Sequence, residues 1–491
     1  MKSNLQRIPS EPIVLEAGST ITDPSQNLVT WADDADPENP RNWTPLKKWL
    51  ALSTVSFLSC ISPLTSSMIA PATPLISRDL NNDSDTFSVL VVTFFILGYV
   101  VGSLLFGRLS EIYGRRPILL ISTFIFSIWQ LGCALSTSIE MQMAFRLFAG
   151  FGGSGCIAIG GGIIADVFDL KDRGLAVTIF SVGPLVGPIL GPIVGAYISH
   201  DLGWRAIYYF MFITSMIAEI FTFIVVKESN PQTILSHKRN QLQKLTSTPL
   251  FLENELSAIP SKSPIFDLLV STFLPWKLLF FSPVTALLCA YMAYVYGLLY
   301  LLFTTISIVF VGNYRWSIST SSLVYVSIGV GFAIGLVAHG ALSAKMLKRS
   351  MKLSNDVFEP EMRLEPCKIM GLMVPLSFFW YGWAADKQVH WAVPVVGLLP
   401  FGIGLIGVFL PIQNYMIEAF PEISASATAV LASSRNVVGT FLPIVAPSMY
   451  RRMGIGWGNT LLGFLSIIAL PFAWIVARYG KSLRTRYPVK L

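Results

Sequence analysis

The sequence predicts an all-α membrane protein whose twelve spanning helices form two pseudo-symmetric six-helix bundles. Three observations support this prediction. Hydrophobic residues make up 53% of the 491 residues and charged residues only 13%, whereas a soluble domain has roughly 25% charged residues. Twelve apolar runs reach about the twenty residues that a helix needs to cross ~30 Å of hydrocarbon. A polar stretch, residues 227–277, separates the first six runs from the last six.

The predicted regions follow one another along the chain. A tail rich in Pro, Asn, Asp and Glu, residues 1–47, is expected to be disordered and cytosolic. It precedes a first bundle (48–227), a cytosolic central loop (228–277), a second bundle (278–480) and a cytosolic carboxyl tail (481–491). Two similar halves around a long loop indicate an internal duplication. The spans are predicted near residues 49–76, 87–110, 117–136, 140–166, 174–199, 204–226, 278–311, 318–344, 367–384, 391–416, 424–450 and 457–478.

Basic residues predict the orientation in the membrane. If both termini are cytosolic, 27 of the 35 Lys and Arg residues lie on the cytosolic side and six lie outside. Cytosolic loops carry an excess of positive charge, so we expect cytosolic termini, with the plasma membrane as the location. The net charge of +7 then reflects orientation in a lipid bilayer, and no nucleic-acid partner is expected.

Several functional classes lack their sequence signals. The five cysteines are scattered without a CxxC or other ligand spacing, so no metal site is expected. The sequence contains no GxxxxGKS/T phosphate loop, which excludes an ATP-driven pump, and no HExxH or GxSxG motif. We therefore expect no enzymatic activity and no cofactor.

The turn between the second and third spans carries a distinctive motif. Residues 107–116 read GRLSEIYGRR, with Gly107, Glu111, Gly114, Arg115 and Arg116 as its small and charged positions. Glycines permit a tight turn, and the charges can cap helix ends or pair across the mouth of the bundle. The pattern resembles the loop signature of the major facilitator superfamily, although Glu111 stands where most members have Asp. This resemblance implies the major facilitator fold.

The fourth span contains Arg146 at the start of the string RLFAGFGGSG. A buried arginine costs a few kcal/mol unless it is paired or hydrated, so it is a functional candidate. Its alternative is to snorkel to the outer interface. The string is similar to the fourth-helix motif of the superfamily, whose arginine is associated with proton coupling. A proton gradient would then be the energy source.

The fifth span contains glycines at every fourth position, each but the last followed by proline. Such a stripe lets another helix approach closely, and each proline removes a hydrogen bond and bends the helix. A generic helix contact is the alternative. The pattern resembles the antiporter motif of drug:proton exporters, which is absent from sugar uptake porters of the superfamily. Its residues are Gly183, Pro184, Gly187, Pro188, Gly191, Pro192 and Gly195.

Five shorter strings resemble fungal twelve-span drug:proton antiporters, and together they cover the chain from about residue 36 to its end. One departure concerns the second half, where residues 340–345 lack the acid of the loop signature. The five strings are DPENPRNW (36–43), FEPEMRL (358–364), FWYGW (379–383), PIQNY (411–415) and GIGWGN (454–459).

Polar residues inside spans are further candidates. Glu219 and Arg435 join Arg146 as proton-coupling candidates, with a structural pair as the alternative for Arg435. The first span contains no Asp or Glu, so the proton carrier is unassigned. The resemblance implies that helices one, four, seven and ten line a cavity, which gives five substrate-cavity candidates: Tyr291, Tyr294, Tyr300, Gln413 and Asn414.

Two local predictions depend on the orientation. Asp166 lies at the carboxyl end of the fourth span, where the helix dipole disfavours an acid, so we expect it to pair with Arg115 as part of a cytosolic gate. The alternative is that both residues are solvated. Asn82, in an Asn-Asp-Ser sequon outside, is the expected glycosylation site, because the sequon at Asn42 lies in the cytosolic tail.

These observations favour a proton-coupled secondary transporter that exports small amphipathic molecules, such as drugs, toxins or fungal secondary metabolites, by alternating access. We expect it to function as a monomer. One alternative is an importer of a nutrient, polyamine or organic acid of the same superfamily. A remote alternative is a non-transporting receptor or a membrane enzyme.

Overall fold

The computed structural model describes residues 22–23, 28–31, 36–246, 251, 276–353, 358–420 and 424–487, and it is almost entirely helical. The exception in this part of the chain is an antiparallel pair of two-residue strands, β1 (Thr22–Asp23) and β2 (Leu28–Val29), in which Thr22 lies opposite Val29. The fold class predicted from composition and apolar runs is confirmed.

Twelve crossings can be traced in the described residues, although only ten helical segments among them are individually long and apolar enough to cross a membrane. One of the ten, Ser426–Arg486, is 61 residues long. It contains two crossings, because Gly454 interrupts the helix with a φ of 76°. The ninth crossing consists of two shorter helices, Glu365–Met370 and Met373–Asp386.

We number the crossings span one to span twelve. In order, their helices are Pro45–Met68, Asp85–Tyr113, Arg115–Ala134, Ile139–Val167, Leu170–Leu202, Trp204–Val225, Pro283–Tyr314, Tyr325–Leu353, Met373–Asp386 with Glu365–Met370 before it, Leu399–Ala419 with Ala392–Gly397 before it, Ser424–Phe441, and the part of Val445–Arg486 that follows Gly454. The 3₁₀ turn Leu442–Ile444 continues span eleven, and the short helices Thr73–Asp79 and Ile318–Ser322 flank spans one and eight.

Local sequence explains where the helices begin and end. Ser84, Ser138 and Ser282 each accept a hydrogen bond from a backbone N–H of the following first turn, which caps spans two, four and seven. Gly114 and Gly203 have φ values of 100° and 83°, a region that favours glycine. These two glycines therefore allow the sharp reversals between spans two and three and between spans five and six.

Each half packs mainly within itself. In the first half, span two packs on span four, span one on span five and span three on span four. In the second half, span seven packs on span eleven, span nine on span twelve and span eight on span ten. The halves meet where span two runs beside span eleven and span five beside span eight. We call the face where span one begins and span twelve ends the termini face.

The end of the amino-terminal tail differs from the disorder that its composition predicts. Pro40–Asn42 forms a 3₁₀ turn, and the side chain of Trp43 is buried. The tail packs on a helix that follows span six, Pro231–Thr246, where Lys238 forms ion pairs with Asp36 and Glu38. Composition missed this order because the stabilising partners lie about 200 residues away in the sequence.

Candidate functional site

A cluster of tyrosines and serines lies between the two halves, near the middle of the spans. Tyr99 of span two and Ser62 of span one share a hydrogen bond of 2.5 Å between their hydroxyls. Tyr300 of span seven and Ser66 of span one share one of 2.9 Å. The ring of Tyr296 lies 5.3 Å from that of Tyr300. Of these residues, only Tyr300 was a sequence-based candidate.

Arg435 of span eleven lies beside this cluster, between two aromatic rings. Its guanidinium carbon is 5.1 Å from the ring centre of Tyr296 and 5.0 Å from that of Phe409 on span ten. The Nε atom of Arg435 is buried without a hydrogen-bond partner, and so is Oδ1 of the adjacent Asn436. Buried polar groups are normally satisfied, so this half-buried slot retains unused donor and acceptor capacity.

The other cavity candidates divide into two groups. Gln413 and Asn414 are half-buried and follow Phe409 by about one turn toward the termini face. Tyr291 and Tyr294 lie on a different side of span seven. The hydroxyl of Tyr294 donates to the carbonyl of Leu462 on span twelve at 2.7 Å, and Tyr291 is buried against Gly371, between the two helices of span nine. Only Tyr300, Gln413 and Asn414 therefore remain near the space between the halves.

Arg146 does not snorkel to an interface, because it is fully buried. Its guanidinium donates hydrogen bonds of 2.9 to 3.1 Å to four backbone carbonyls, those of Thr65 and Ser66 on span one and Val91 and Val92 on span two. The carbonyls in the last turn of a helix lack intrahelical partners. Arg146 thus caps the end of span one and ties it to span two.

Glu219 lies apart from these residues. It is half-buried on span six, and its Oε2 atom has no hydrogen-bond partner. Span six packs against spans one, three and five and contributes no main contact to the second half. The structure therefore does not bring Glu219 together with Arg146 or Arg435.

The glycine stripe of span five lies directly on span one. A Cβ atom added to Gly187 would be 2.7 Å from the carbonyl oxygen of Cys60, and one added to Gly195 would be 1.9 Å from that of Met68. Both distances are well below ordinary contact, so only glycine permits this approach. The stripe is a contact between two backbones, and the proline positions Pro184, Pro188 and Pro192 lie within the same continuous helix.

The expected ion pair at the termini face is present. Nε of Arg115 donates to Oδ2 of Asp166 at 3.1 Å, and both side chains are about 15% exposed or less. Glu228, which follows span six, accepts hydrogen bonds from the backbone N–H groups of Arg115 and Arg116. Glu111 is exposed and pairs with Arg108 of its own helix.

The second half contains a corresponding charge cluster, which sequence reasoning missed. Arg363, before span nine, pairs with Glu418 at the end of span ten at 2.8 Å. Glu361 pairs with Arg484 at the end of span twelve at 2.7 Å. The string FEPEMRL was noticed only for its resemblance. In the structure, Glu361 and Arg363 of this string form ion pairs with residues of distant spans.

Polar contacts between the two halves lie away from the termini face. Oγ1 of Thr440 donates to the carbonyl of Thr93 at 3.4 Å, and Arg451 forms an ion pair with Asp85 at the start of span two. The first contact joins spans two and eleven, and the second joins span two to the helical stretch between span eleven and Gly454. Both lie remote from the termini face, so the halves are joined on that side.

Spans five and eight touch on the side remote from the termini face. Away from it, Ile189 packs against Gly329, within 2.8 Å of where a Cβ would lie. Near it, no neighbouring atom lies within 4 Å of a Cβ placed on Gly174 or Gly340. The turns Ala70–Ala72 and Leu442–Ile444 also contact the opposite half on the side remote from the termini face, and from this distribution of contacts we infer that the space between the halves opens to the termini face. The Arg115–Asp166 pair is formed in this arrangement. Both residues belong to the first half, so the pair does not join the two halves.

Comparisons with known proteins agree with this architecture. The Major Facilitator Superfamily profile matches residues 55–443. The MFS transporter cpaT of Aspergillus oryzae is 39% identical over 470 residues, which cover 95% of this chain and 94% of the relative. The efflux pump radE of Floropilus chiversii is 36% identical over 497 residues, covering 100% and 92% of the two chains.

Solved structures show the same fold at low identity. The partially occluded, inward-open xylose transporter XylE of E. coli aligns with a TM-score of 0.66 and 16% identity, covering 87% of this chain and 97% of XylE. At this identity the likeness concerns the fold alone.

Proposed function

The chain belongs to the Major Facilitator Superfamily, and from that premise we propose that it exports small amphipathic molecules by proton-coupled alternating access. It is a multi-pass membrane transporter and not an enzyme, as its named relatives are transporters and efflux pumps. The observation on which the proposal rests is the space between the halves, which is open toward the termini face and contains the Arg435 slot. The cargo is a drug, a toxin or a fungal secondary metabolite.

The chemistry of the slot supports an amphipathic cargo. Tyr296 and Phe409 offer aromatic faces to an apolar ring system, and Arg435 offers an unused N–H donor. Binding pockets for small molecules commonly combine apolar walls with a few placed polar groups. A flat molecule with a carbonyl, phenol or carboxylate at one edge fits this combination.

The orientation makes the open side cytosolic. Most Lys and Arg residues then lie inside, in agreement with the positive-inside tendency. The space between the halves would accept cargo from the cytosolic side of the plasma membrane. It would release the cargo on the other side after the two halves rock against each other. One relative is the efflux pump radE, and this direction of transport is the same.

Two devices support the rocking motion. The backbone contact between spans one and five keeps the first half rigid, and the charge clusters around Arg115 and Glu361 hold the termini-face loops of each half to its own helices. A difference of ~1.4 kcal/mol between two states changes their ratio tenfold. Modest contacts of this kind therefore suffice to bias the cycle.

Retention of candidate compounds in cells tests the proposal. Cells lacking the gene, complemented with the intact chain, should retain less of at least one amphipathic compound, and a protonophore should abolish the difference. Arg435→Gln should raise retention of that compound, whereas Arg452→Gln, an exposed arginine at the opposite face, should not.

Other results would refute the proposal. Higher accumulation in the complemented cells would indicate import. Equal retention with and without the gene for every compound tried would leave export unsupported. Efflux that persists with a protonophore would reject proton coupling.

A further inference from the structure

A second cavity lies at the termini face of the first half, away from the space between the halves. Its volume is about 600 Å³. It is open to the surface, and three parts of the chain line it: the tail around Trp43, the termini-face ends of spans two, three and six, and the helix Pro231–Thr246. Neither the transport cycle nor the comparisons assign a role to it.

Three cations in its wall form no ion pair with an acid in the described part of the chain. Lys47 lies over the ring of Trp43 at 3.7 Å, and it is close enough to Lys227 for the two ammonium groups to repel each other. Arg116 lies over Phe223, and its buried Nε has no hydrogen-bond partner. No described carboxylate forms an ion pair with any of these three side chains. Like charges held together favour a bound anion.

The acids nearby are already engaged. The Glu228 carboxylate accepts hydrogen bonds from the backbone N–H groups of residues 115, 116, 229 and 230. Glu38 pairs with Lys238. The cations that line the cavity, Lys47, Arg116, Lys227 and Lys238, outnumber its described carboxylates, Glu38 and Glu228, so the described lining has a net positive charge.

Other walls of the cavity are formed by exposed aromatic and apolar side chains. Tyr113 and Phe223 are 62% and 61% exposed, and they lie at the ends of spans two and six beside Pro117 and Leu120. Aromatic side chains are enriched at the membrane interface. An occupant thus meets cations on one side and apolar surface, continuous with the bilayer, on the other.

We propose that this cavity binds a phosphate-bearing anion, supplied by the headgroup of an anionic lipid in the leaflet at the termini face. Lys and Arg recognise phosphate through charge-assisted hydrogen bonds, and the cytosolic leaflet contains anionic lipids. The lipid would lie between the tail and the helix Pro231–Thr246. The source in the cytosolic leaflet depends on the proposed orientation, whereas the binding chemistry does not.

Binding to the purified full-length chain in detergent tests the site without any transport. The probe is dioctanoyl phosphatidylinositol 4-phosphate, with dioctanoyl phosphatidylcholine and soluble inositol 1,4-bisphosphate as comparisons, all measured by titration calorimetry. Lys47→Gln with Lys227→Gln should weaken binding of the anionic lipid by about fivefold for each lysine removed. Lys345→Gln with Lys348→Gln removes two exposed lysines of span eight and should leave it unchanged.

Two further measurements distinguish loss of binding from loss of folding, and a lipid headgroup from a soluble phosphate. Lys47→Arg with Lys227→Arg keeps both charges and should retain binding even if the glutamine pair lowers the melting temperature. Stronger binding of the lipid than of inositol 1,4-bisphosphate supports a lipid headgroup, whereas equal binding assigns the site to a soluble phosphate. Equal loss in the two glutamine pairs, or no loss in either, would overturn the proposal.

Discussion

The contact between spans one and five makes a graded prediction, because the space available at each glycine of the stripe differs. An added Cβ would lie 2.9 Å from a backbone atom of span one at Gly183, 2.7 Å at Gly187, 2.5 Å at Gly191 and 1.9 Å at Gly195. Ordinary contact begins near 3.4 Å, so the shortfalls are 0.5, 0.7, 0.9 and 1.5 Å. Because the obstructing atoms belong to a backbone, the helices themselves must separate.

The sign of each substitution by alanine follows from two opposing effects. Replacing glycine by alanine inside a helix stabilises the helix by about 1 kcal/mol, whereas overpacking costs about 1–3 kcal/mol and occasionally more. Gly183→Ala should therefore be nearly neutral, and Gly195→Ala should be clearly destabilising. Gly174→Ala is the matched control, because no neighbouring atom lies within 4 Å of its added Cβ in the same helix.

Two measurements check this series. The apparent melting temperature in detergent should fall along the series of alanine variants at Gly183, Gly187, Gly191 and Gly195. That of Gly174→Ala should equal or exceed the melting temperature of the parent protein. Efflux per molecule at the membrane should fall in the same order, because span one borders the space between the halves. Identical melting of Gly195→Ala and Gly174→Ala, or an inverted order, would show that the stripe does not lie against span one in this way.

Three other perturbations have definite expected outcomes. Arg115→Asp and Asp166→Arg should each lower efflux, and their combination should recover part of it at matched surface expression, because the two side chains pair at 3.1 Å; a double variant no better than the worse single one contradicts this. Arg146→Lys should lower the melting temperature, since three ammonium donors replace a planar fork that serves four carbonyls, and unchanged melting would reject the capping role. Enzymatic deglycosylation should shift the mass of the chain only through Asn82, and a glycan on Asn42 would contradict the proposed orientation.

The positions of the twelve spans could be predicted from the sequence alone. The length of an apolar run is a local property, and the thickness of the bilayer sets the length that is required. The turn at Gly114 and the glycine stripe of span five could also be predicted from the sequence. The turn depends on one glycine, and the stripe depends on glycines at regular spacing. Even the pair of Arg115 and Asp166 followed from the directions of two helices. The predicted span nine, 367–384, lies within the observed pair of helices, and Gly454 lies between the predicted ends of spans eleven and twelve. The kinks themselves were not predicted, because a kink leaves hydropathy almost unchanged.

For the other polar residues, only the tertiary structure decided which of them interact. The sequence shows Arg146 only as a charge within a span, whereas the structure shows that it binds four carbonyls of two other helices. The surroundings of Tyr291 and Tyr300 could not be distinguished until the rotation of span seven was known. The cluster of Glu361 with Arg484 joins residues 123 positions apart. Such partners are brought together by helix packing, and packing depends on the shapes of many side chains at once, whereas a span depends on the apolarity of its own residues.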